Sequence, residues 1–366
     1  MILATLCTVA IIYQILAIVA CLFRRDTRVQ TGRSPGSVGP VSILKPVRGL
    51  DPSFYEAIRS HTVLEGEYEF LCGVPDANDP SLPILRAFPT VRVVECGTRK
   101  PNGKVGVLMD LIAQTRYPIV IVNDADIRVA PDYLKRVTAP LDDPSVGLVT
   151  CLYRAVGDTF PARFEGLGIA TDFAPSTLVA RLGGVDEFAL GSTLAFRRAD
   201  LDRIGGFESI ANYVADDYQL GHRIHALGLK CVLSDVVVET HLSGGWRDVW
   251  RHQLRWARTI RVSKFGGYLG LPITNATLWA VAAATAAQWD LAAILLISRL
   301  AMAFTAGWFV VRSRDFLRLW WLTPARDLFG FAVWMAGLFG TTVIWRGQLL
   351  RLDREGRIRI QADSAH

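Results

Sequence analysis

The sequence predicts an α/β domain with a mostly parallel sheet, flanked by N- and C-terminal transmembrane helices. Three observations carry this prediction: strand-like and helix-like runs alternate from about residue 41 to 240, residues 1–23 contain no charge, and apolar runs recur after residue 270. Hydrophobic residues make up 51% of the 366 residues, and charged residues only 20%. This balance indicates a membrane protein that carries a water-soluble part.

The N-terminal segment 1–23 is predicted to be an uncleaved membrane anchor. Roughly 20 helical residues cross the hydrocarbon core, and Arg24 and Arg25 follow the apolar run at once. A cleaved signal peptide fits less well, because its basic residues would precede the apolar run. The positive-inside rule places the next domain in the cytoplasm, and the Ala- and Arg-rich composition favours a bacterial inner membrane. Residues 24–40 are predicted to be a linker.

Residues 41–244 are predicted to form the α/β domain. Its β-prone runs are Val41–Leu44, Tyr68–Val74, Val91–Cys96 and Ile119–Val122. Helix-like stretches such as Phe54–His61 and Val105–Thr115 lie between them. This order favours a mainly parallel sheet, and such sheets bind ligands at the carboxyl ends of their strands.

The C-terminal third is predicted to lie at and in the membrane. In residues 245–270, aromatic residues recur at helical spacing with arginines between them, which is typical of an amphipathic interfacial helix. A surface helix packed on the α/β domain is the alternative. Residues 271–345 contain about three apolar spans, and these are 272–289, 291–311 and 328–345.

The predicted basic tail, residues 346–366, conflicts with the prediction of three membrane crossings after the α/β domain. The tail carries Arg346, Arg351, Arg354, Arg357 and Arg359, which the positive-inside rule places in the cytoplasm. Three crossings after a cytoplasmic domain would put it outside. Either one span is re-entrant or interfacial, or the rule fails at this end.

Charge and cysteine usage exclude several classes of protein. The net charge is +6, but the sequence has no long basic run and no nucleic-acid motif. Arginines instead stand beside apolar segments, which suits lipid headgroups and predicts no nucleic-acid partner. None of the six cysteines forms a C-x-x-C pair, so the sequence indicates neither a zinc site nor a disulfide framework.

Two carboxylates directly follow the apolar run Ile119–Val122, in Asn123-Asp124-Ala125-Asp126. Carboxylates spaced i, i+2 at the end of a strand can converge on one divalent cation, which would neutralise a diphosphate leaving group. A turn that precedes the helix starting near Pro131 is the alternative for an isolated match.

Further carboxylates fall at the same predicted edge of the sheet. Asp76 and Asp79 follow the run Tyr68–Val74, although Asp79-Pro80 also fits a helix N-cap. Asp216 and Asp217 open another helix-like run, where an N-terminus favours the ionised carboxylate. One of them suits a helix cap and the other a general base.

Basic and aromatic side chains complete the candidate set. In His252-Gln253-Leu254-Arg255-Trp256, Arg255 offers a fork of donors for phosphate oxygens and Trp256 could form a wall of an acceptor entrance. An interfacial Arg–Trp pair is the alternative. Lys45 could contact phosphate or the base, or could be an ordinary lysine at the end of a strand.

Taken together, these motifs resemble the ceramide glucosyltransferase family, including its bacterial hopanoid-associated relatives, within the inverting glycosyltransferases of the GT-A fold. The resemblance runs from about Val41 to Ile260. The matching residues are Lys45-Pro46-Val47-Arg48-Gly49-Leu50-Asp51, Asp76, Asp79-Pro80, Asp124 in its Asn-Asp-Ala-Asp run, Gly191-Ser192, Phe196-Arg197-Arg198, Gly205-Gly206-Phe207, Asp217 and Arg255-Trp256.

The resemblance implies a role for each position. Asp217 would be the base that activates a lipid hydroxyl, and Asp124 and Asp126 would hold Mg²⁺ or Mn²⁺ on the diphosphate. The donor, a UDP-sugar, would be contacted by Lys45, Asp76, Asp79, Lys104, Asp124, Gly191, Arg255 and Trp256. The implied reaction moves glucose from UDP-glucose with inversion onto the primary hydroxyl of ceramide.

The sequence departs from the family at two places and leaves alternatives open. His252 stands where Gln or Arg usually begins the last motif, and Gly106 and Val107 follow Lys104 where Asn or Ser is frequent. N-acetylglucosamine transfer to a hopanoid is one alternative. A processive polysaccharide synthase is another, although few spans are present to form a polymer channel. A catalytically silent binding protein is the third.

Overall fold

The computed structural model describes residues 1–24, 39–51, 53–345 and 347–359. Most of the predicted linker, Arg346 and the last residues of the predicted basic tail lie outside these ranges. The chain divides into two compact units. The sheet unit contains Arg25–Tyr153 and Val185–His241, and the terminal unit contains Met1–Arg24, Arg154–Gly184 and Leu242–His366. Residues 154–184 thus group with the chain ends, although the sequence prediction put them within 41–244.

Fifteen α-helices lie in the described ranges. They are α1 (Ile2–Leu22), α2 (Phe54–His61), α3 (Leu82–Arg86), α4 (Gly103–Ile112), α5 (Tyr133–Thr138), α6 (Phe160–Gly168), α7 (Ala174–Leu182), α8 (Arg198–Arg203), α9 (Asp216–Ala226), α10 (Trp246–Ser263), α11 (Phe265–Gly270), α12 (Ala276–Thr285), α13 (Trp289–Phe304), α14 (Arg314–Leu319) and α15 (Thr323–Gly337). Two π-helical turns continue α6 and α13, at Ile169–Phe173 and Thr305–Val310.

Ten strands form two sheets. They are β1 (Val41–Pro46), β2 (Tyr68–Val74), β3 (Val91–Glu95), β4 (Ile119–Val122), β5 (Val146–Gly157), β6 (Leu194–Arg197), β7 (Lys230–Leu242), β8 (Thr342–Trp345), β9 (Gln348–Leu352) and β10 (Ile358–Arg359). The large sheet has the order β3-β2-β1-β4-β6-β5-β7. Its first four strands are parallel, and β6 is antiparallel to both β4 and β5. The mostly parallel sheet predicted from the sequence is confirmed.

The carboxyl ends of β1, β2 and β4 lie side by side. Val41 is opposite Tyr68 on β2 and opposite Ile119 on β4, so the three strands run in step. The loops that leave these strands therefore reach the same edge of the sheet. The loops after β2 and β4 carry the acidic residues Asp76, Asp79, Asp124 and Asp126.

Two apolar cores cover the faces of this sheet. Ile43 and Phe70 belong to one core, whereas their neighbours Leu44 and Leu71 belong to the other. Side chains alternate across a strand, and a parallel sheet must be covered on both faces. Helices α2, α3 and α5 contribute to the first core, and α4, α8 and α9 contribute to the second.

The terminal unit is helical and rich in small residues. Helix α1 packs on α12 and α13 through Cys7, Ala10, Ala280 and Leu295. Two helical segments in the described part are long and apolar enough to cross a membrane, Ile2–Leu22 and Trp289–Val310. The predicted N-terminal span and the second C-terminal span match these segments.

The other two predicted C-terminal spans differ from the structure. Helix α12, within the predicted span 272–289, has ten residues, about half of the roughly 20 needed to cross a bilayer. Within the predicted span 328–345, helix α15 ends at Gly337. The chain then forms β8, which pairs with β9 in a small antiparallel sheet. Of the three predicted C-terminal spans, one thus coincides with a described helical segment long and apolar enough to cross a membrane, Trp289–Val310. The number of crossings and the side on which the basic tail lies stay predictions.

The basic helix predicted within 245–270 forms as α10 and α11. Two of its arginines hydrogen-bond to backbone carbonyls that follow α15. Arg258 donates to the carbonyl oxygens of Phe339 and Thr342, and Arg261 donates to those of Leu338 and Gly340. These carbonyls lie between the end of α15 at Gly337 and the start of β8 at Thr342, so the two arginines fix the turn that joins these elements.

Candidate active site

A buried polar network holds the start of the loop after β4. Asn123 Nδ2 donates to Tyr133 Oη at 2.9 Å and to the Ser192 carbonyl at 2.8 Å, and His61 Nε2 lies 3.3 Å from Asn123 Oδ1. Burial lowers the pKa of His61 well below its usual value, so the ring is neutral. The network ties the loop that carries Asp124 to the segment that begins at Gly191.

Lys104 lies between two carboxylates at this edge of the sheet. Its Nζ is 2.8 Å from Asp124 Oδ1 and 3.0 Å from Asp216 Oδ2. Burial alone would lower the pKa of Lys104, but the charges of Asp124 and Asp216 raise it well above its usual value. Lys104 is therefore a fixed cation between the loop after β4 and the start of α9.

Asp217 and Asp124 approach the same glycine. Asp217 Oδ2 accepts a hydrogen bond from Gly191 N at 2.8 Å, and its Oδ1 accepts one from Tyr218 N. A Cβ on Gly191 would stand 3.2 Å from Asp217 Oδ2 and 3.3 Å from Asp124 Oδ2. The two carboxylates predicted from separate motifs thus face one another across Gly191.

The environment of Asp217 suits a base. Burial raises the pKa of Asp217 to about 6, repulsion from Asp216 adds to this, and Lys104 opposes it. A carboxylate with this pKa is ionised at neutral pH yet more basic than an exposed aspartate. Asp216 is the buried partner of Lys104, so the structure separates the two residues that the sequence left interchangeable.

The second carboxylate of the Asp-x-Asp run has a different partner. Asp126 Oδ2 accepts a hydrogen bond from Thr240 Oγ1, and burial together with the charge of Asp124 raises the pKa of Asp126. Within the described ranges, no three His, Cys, Asp or Glu side chains cluster as a metal cage. Two hard carboxylates can still hold a small divalent cation if phosphate oxygens and water complete its shell.

Lys45 does not face a donor site as the resemblance implies. Its side chain is fully buried, and Nζ donates to the carbonyl oxygens of Asp124, Ala125 and Ile127 at 2.8, 3.4 and 3.1 Å. These bonds use its three protons, because an ammonium group has three donors. Lys45 instead shapes the loop after β4, and burial lowers its pKa to about 8.

Asp79 also contacts the protein itself rather than an open site. Its Oδ2 accepts from Gly49 N at 2.8 Å, and its Oδ1 accepts from Ser81 N and Ser81 Oγ at 2.9 and 2.7 Å. The buried carboxylate thus joins the loops after β1 and β2, and the interpretation as a local cap fits better than a donor contact. Asp76 is exposed, and its Oδ1 accepts from Asn78 N.

The last motif lies in the terminal unit, on α10. His252 Nδ1 is 2.7 Å from Glu165 Oε1, and the His252 ring is 4.6 Å from that of Trp256. Trp256 in turn lies 6.2 Å from the ring of Phe173. His252, which departs from the family motif, is therefore hydrogen-bonded to a carboxylate on α6.

Sequence reasoning missed the partners that orient this set. Thr240, which binds Asp126, is 114 residues away in the chain, and Glu165, which binds His252, is 87 residues away. Neither residue stands in a motif. Of the residues that contact this set, Lys104 alone could be predicted from the sequence, because it stands at a motif position of the family.

The sheet order, the loop after β4 and the carboxylates at the ends of the parallel strands define a glycosyltransferase of the GT-A fold. A solved mannosyltransferase from Pyrobaculum calidifontis, in complex with GDP-Man and Mn²⁺, shares the fold with a TM-score of 0.53 at 19% identity, over 91% of this chain and 99% of that one. The chain belongs to the family described as Glycosyl transferase family 21, which matches residues 2–358.

Curated relatives confirm the resemblance drawn from the motifs. Ceramide glucosyltransferase 1 of Caenorhabditis elegans is 27% identical over 204 residues, which are 53% of this chain and 44% of that protein. Beta-monoglucosyldiacylglycerol synthase of Synechocystis sp. is 30% identical over 191 residues, 50% of this chain and 37% of that protein. The chain thus spans less than half the length of these two relatives.

Proposed function

We propose that this chain transfers glucose from UDP-glucose, with inversion, onto the primary hydroxyl of a lipid such as ceramide. The observation that carries the proposal is the meeting of Asp124 and Asp217 at Gly191, beside Lys104. One carboxylate and a cation suit the diphosphate side of a donor, and the other carboxylate suits the attacking hydroxyl. The names of the curated relatives support a lipid acceptor.

Asp217 is the proposed general base. The acceptor O–H gives its proton to the Asp217 carboxylate while the oxygen forms a bond to the anomeric carbon. The bond from that carbon to the diphosphate oxygen breaks, and UDP leaves with the electron pair. A single displacement inverts the anomeric carbon, and the pKa of about 6 keeps Asp217 ionised for this step at pH 7.

Asp124 and Asp126 are the proposed ligands of a Mg²⁺ or Mn²⁺ ion. When bound, such an ion supplies positive charge that stabilises the diphosphate as it leaves. Lys104 adds a second positive charge on the diphosphate side of the site, and its ion pair with Asp124 holds that charge in place. The Mn²⁺ in the Pyrobaculum mannosyltransferase belongs to a protein of the same fold, and this likeness is in keeping with the assignment.

The remaining contacts are proposed from the motifs. Asp76, exposed after β2, would lie near the uridine. Arg255 and Trp256 would contact the diphosphate and the acceptor. The two candidate membrane helices support a membrane location, where a lipid hydroxyl is presented at the bilayer surface. The cytoplasmic orientation stays a prediction.

The test uses the full chain in membranes or mild detergent with Mg²⁺ or Mn²⁺. Labelled UDP-glucose and UDP-N-acetylglucosamine are supplied separately with ceramide, diacylglycerol or a polyhydroxylated hopanoid. We expect label from UDP-glucose in ceramide or diacylglycerol. Transfer of label from UDP-N-acetylglucosamine to the hopanoid would leave the proposed mechanism unchanged but would replace both the proposed donor and the proposed acceptor. A long polymer, or a folded protein that labels no lipid, would overturn the proposal.

A further inference from the structure

Residues 265–285 of the terminal unit combine the length of a membrane span, roughly 20 residues, with a break in the helix. Their three pieces are α11, a 3-10 turn at Leu271–Thr274 and α12. This broken segment contains no charged residue. Its large exposed side chains are apolar, and they are Phe265, Leu269, Leu271, Ile273 and Val281. Such a surface suits contact with lipid rather than with water.

Helix α12 runs alongside the first part of α1, in the opposite direction. Gln14 Nε2 of α1 donates to Thr274 O at 2.9 Å, and Cys7 Sγ lies 4.0 Å from Trp279 O. At 1.5 Å per residue, Gln14 is about 18 Å along α1 from Ile2. Helix α12 has ten residues and is about 15 Å long, so it extends from the level of Gln14 toward the beginning of α1.

Helix α13 then runs beside α1 in the same direction. Ala292 and Leu295, near its beginning, share an apolar cluster with Cys7 and Ala10 of α1, and the π-helical turn that ends α13 also packs on α1. Both helical segments are long and apolar enough to cross a membrane. If both cross, α13 ends on the side of the membrane on which α1 ends.

The first half of the broken segment runs along α15. Tyr268 Oη donates to the Trp334 carbonyl at 2.7 Å, and Asn275 Nδ2 donates to the Asp327 carbonyl at 3.3 Å. These two carbonyls are about 10 Å apart along α15 at the helical rise. The chain from Tyr268 to Asn275 therefore advances instead of folding back. This advance and α12 together cover about 25 Å, close to the thickness of the hydrocarbon core.

The carbonyls of the break, in residues 271–275, each accept a hydrogen bond from the protein. In chain order, the donors are Thr274 Oγ1, Trp279 Nε1, Trp279 Nε1 again, Gln14 Nε2 and Trp279 N, at 2.8, 3.1, 3.1, 2.9 and 3.3 Å. Hydrocarbon offers no hydrogen-bond donor, so a non-helical turn is tolerated at membrane depth only where the protein supplies the donors. The break meets this requirement.

A buried ion pair lies at the level of the break. Arg299 Nε and Nη2 of α13 donate to Asp327 Oδ2 and Oδ1 at 2.8 and 2.6 Å, and both side chains are less than one-tenth exposed. Thr277 Oγ1, in the first turn of α12, also donates to Asp327. Charged side chains within a membrane are costly unless they are paired. This pair is closed within the protein, and it joins α13 and α15 to the start of α12.

We propose that the broken segment crosses the lipid bilayer, with its turn inside the membrane. The chain then crosses three times, through α1, the broken segment and α13. Strands β8, β9 and β10 lie on the same side of the membrane as the sheet unit. Arg24 after α1 and the arginines from 351 to 359 are then on one side, as the positive-inside rule predicts. This inference rests on the proposed membrane location and not on sugar transfer.

Cysteine labelling of the full chain in sealed membrane vesicles tests the crossing. The six native cysteines are buried, so they add little background. Gln288→Cys lies between α12 and α13, Glu355→Cys between β9 and β10, and Asp142→Cys in the sheet unit, all at exposed positions. We expect a membrane-impermeant maleimide to label Glu355→Cys and Asp142→Cys in vesicles of one orientation, and Gln288→Cys only in vesicles of the opposite orientation.

Ile273→Cys places a thiol in the break itself. It should be labelled only after detergent has dissolved the membrane. Labelling of Ile273→Cys in sealed vesicles, or labelling of Gln288→Cys from the same side as Asp142→Cys, would overturn the crossing. Release of the native chain from membranes by alkaline carbonate would overturn both the membrane location and the crossing. A chain that stays in the membrane but transfers no sugar would contradict the proposed function alone.

Trp279→Phe tests the hydrogen bonding of the break. It keeps an aromatic ring but removes the donor shared by the Pro272 and Ile273 carbonyls. We expect the melting temperature in detergent to fall by roughly 2–4 °C or more, because buried carbonyls are left without a donor. Trp289→Phe, at an exposed position at the start of α13, is the matched control and should melt as the native chain does. Equal melting temperatures for the two variants would contradict the role of Trp279 in the break.

Discussion

Gly191 N donates a 2.8 Å hydrogen bond to Asp217 Oδ2, and the absence of a side chain on Gly191 lets Asp124 reach the same place. The proposed base is therefore held by a loop that precedes β6 as well as by its own helix. The Asn123 network fixes that loop through the Ser192 carbonyl. The two carboxylates are positioned relative to one another by the backbone between them.

Gly191→Ala should slow the reaction without unfolding the protein. The new Cβ would approach Asp217 and Asp124 to 3.2 and 3.3 Å, so both carboxylates must shift by a few tenths of an ångström. Misplaced catalytic groups cost rate, and we expect kcat to fall on the order of tenfold or more. Gly97→Ala is the control, since a Cβ there meets nothing within 4 Å. Equal kcat values for the two variants would contradict the positioning role.

Asp217→Asn should abolish transfer while the chain remains folded. The amide cannot take the acceptor proton, and loss of a general base costs about 10²–10⁴-fold in rate. Label incorporation into lipid measures the loss, and the melting temperature reports the fold. Asp142→Asn, at an exposed position of the same unit, should behave as the native chain. A variant at position 217 with near-native kcat would exclude this residue as the base.

The pH profile should show an acidic limb that belongs to Asp217. Transfer requires the ionised carboxylate, so kcat/KM should be constant above the pKa of about 6 and fall about tenfold per pH unit below it. Lys104 lowers this pKa by its charge. In Lys104→Gln the residual activity should therefore show its acidic limb at higher pH. A limb that does not move would mean that another group titrates.

Removal of divalent cations should stop transfer. EDTA is expected to abolish labelling of lipid, and added Mg²⁺ or Mn²⁺ should restore it, because two carboxylates alone supply no counter-charge for the diphosphate. Asp124→Ala should lose activity at every cation concentration, whereas Asp142→Asn should respond to EDTA as the native chain does. Full activity in EDTA would remove the metal role from Asp124 and Asp126.

The Arg299–Asp327 pair should show the behaviour of a buried ion pair. Arg299→Met leaves Asp327 buried without its cation, and we expect a loss of about 3–5 kcal/mol in the free energy of unfolding. The double variant Arg299→Met/Asp327→Leu should recover much of that loss. Thermal unfolding in detergent measures both. A double variant no more stable than Arg299→Met would contradict the cost assigned to the unpaired Asp327.

Local pattern predicted much of the sheet unit. The strands Tyr68–Val74 and Ile119–Val122 and the helix Phe54–His61 have the predicted bounds, because short apolar runs and helical spacing are properties of neighbouring residues. Position in the motif also marked Asp124, Asp217 and Gly191, which the fold brings together. Their roles stay predictions until the variants are measured.

Pairings between distant residues could not be predicted in this way. Hydropathy over 328–345 does not show that the chain leaves its helix at Gly337, since β8 forms by pairing with β9. Nor does a motif show whether a polar side chain faces a ligand or the protein. Lys45 and Asp79 stand in family motifs, yet both use their polar atoms on neighbouring loops.

The sequence by itself determined the family, the parallel sheet and the edge at which the acidic residues meet, because these follow from order and spacing along the chain. The tertiary structure alone decided which carboxylates Lys104 binds, what surrounds Asp217, and that Arg299 pairs with Asp327 in the terminal unit. Those properties depend on burial and on contacts between residues up to about a hundred positions apart. No local pattern encodes them.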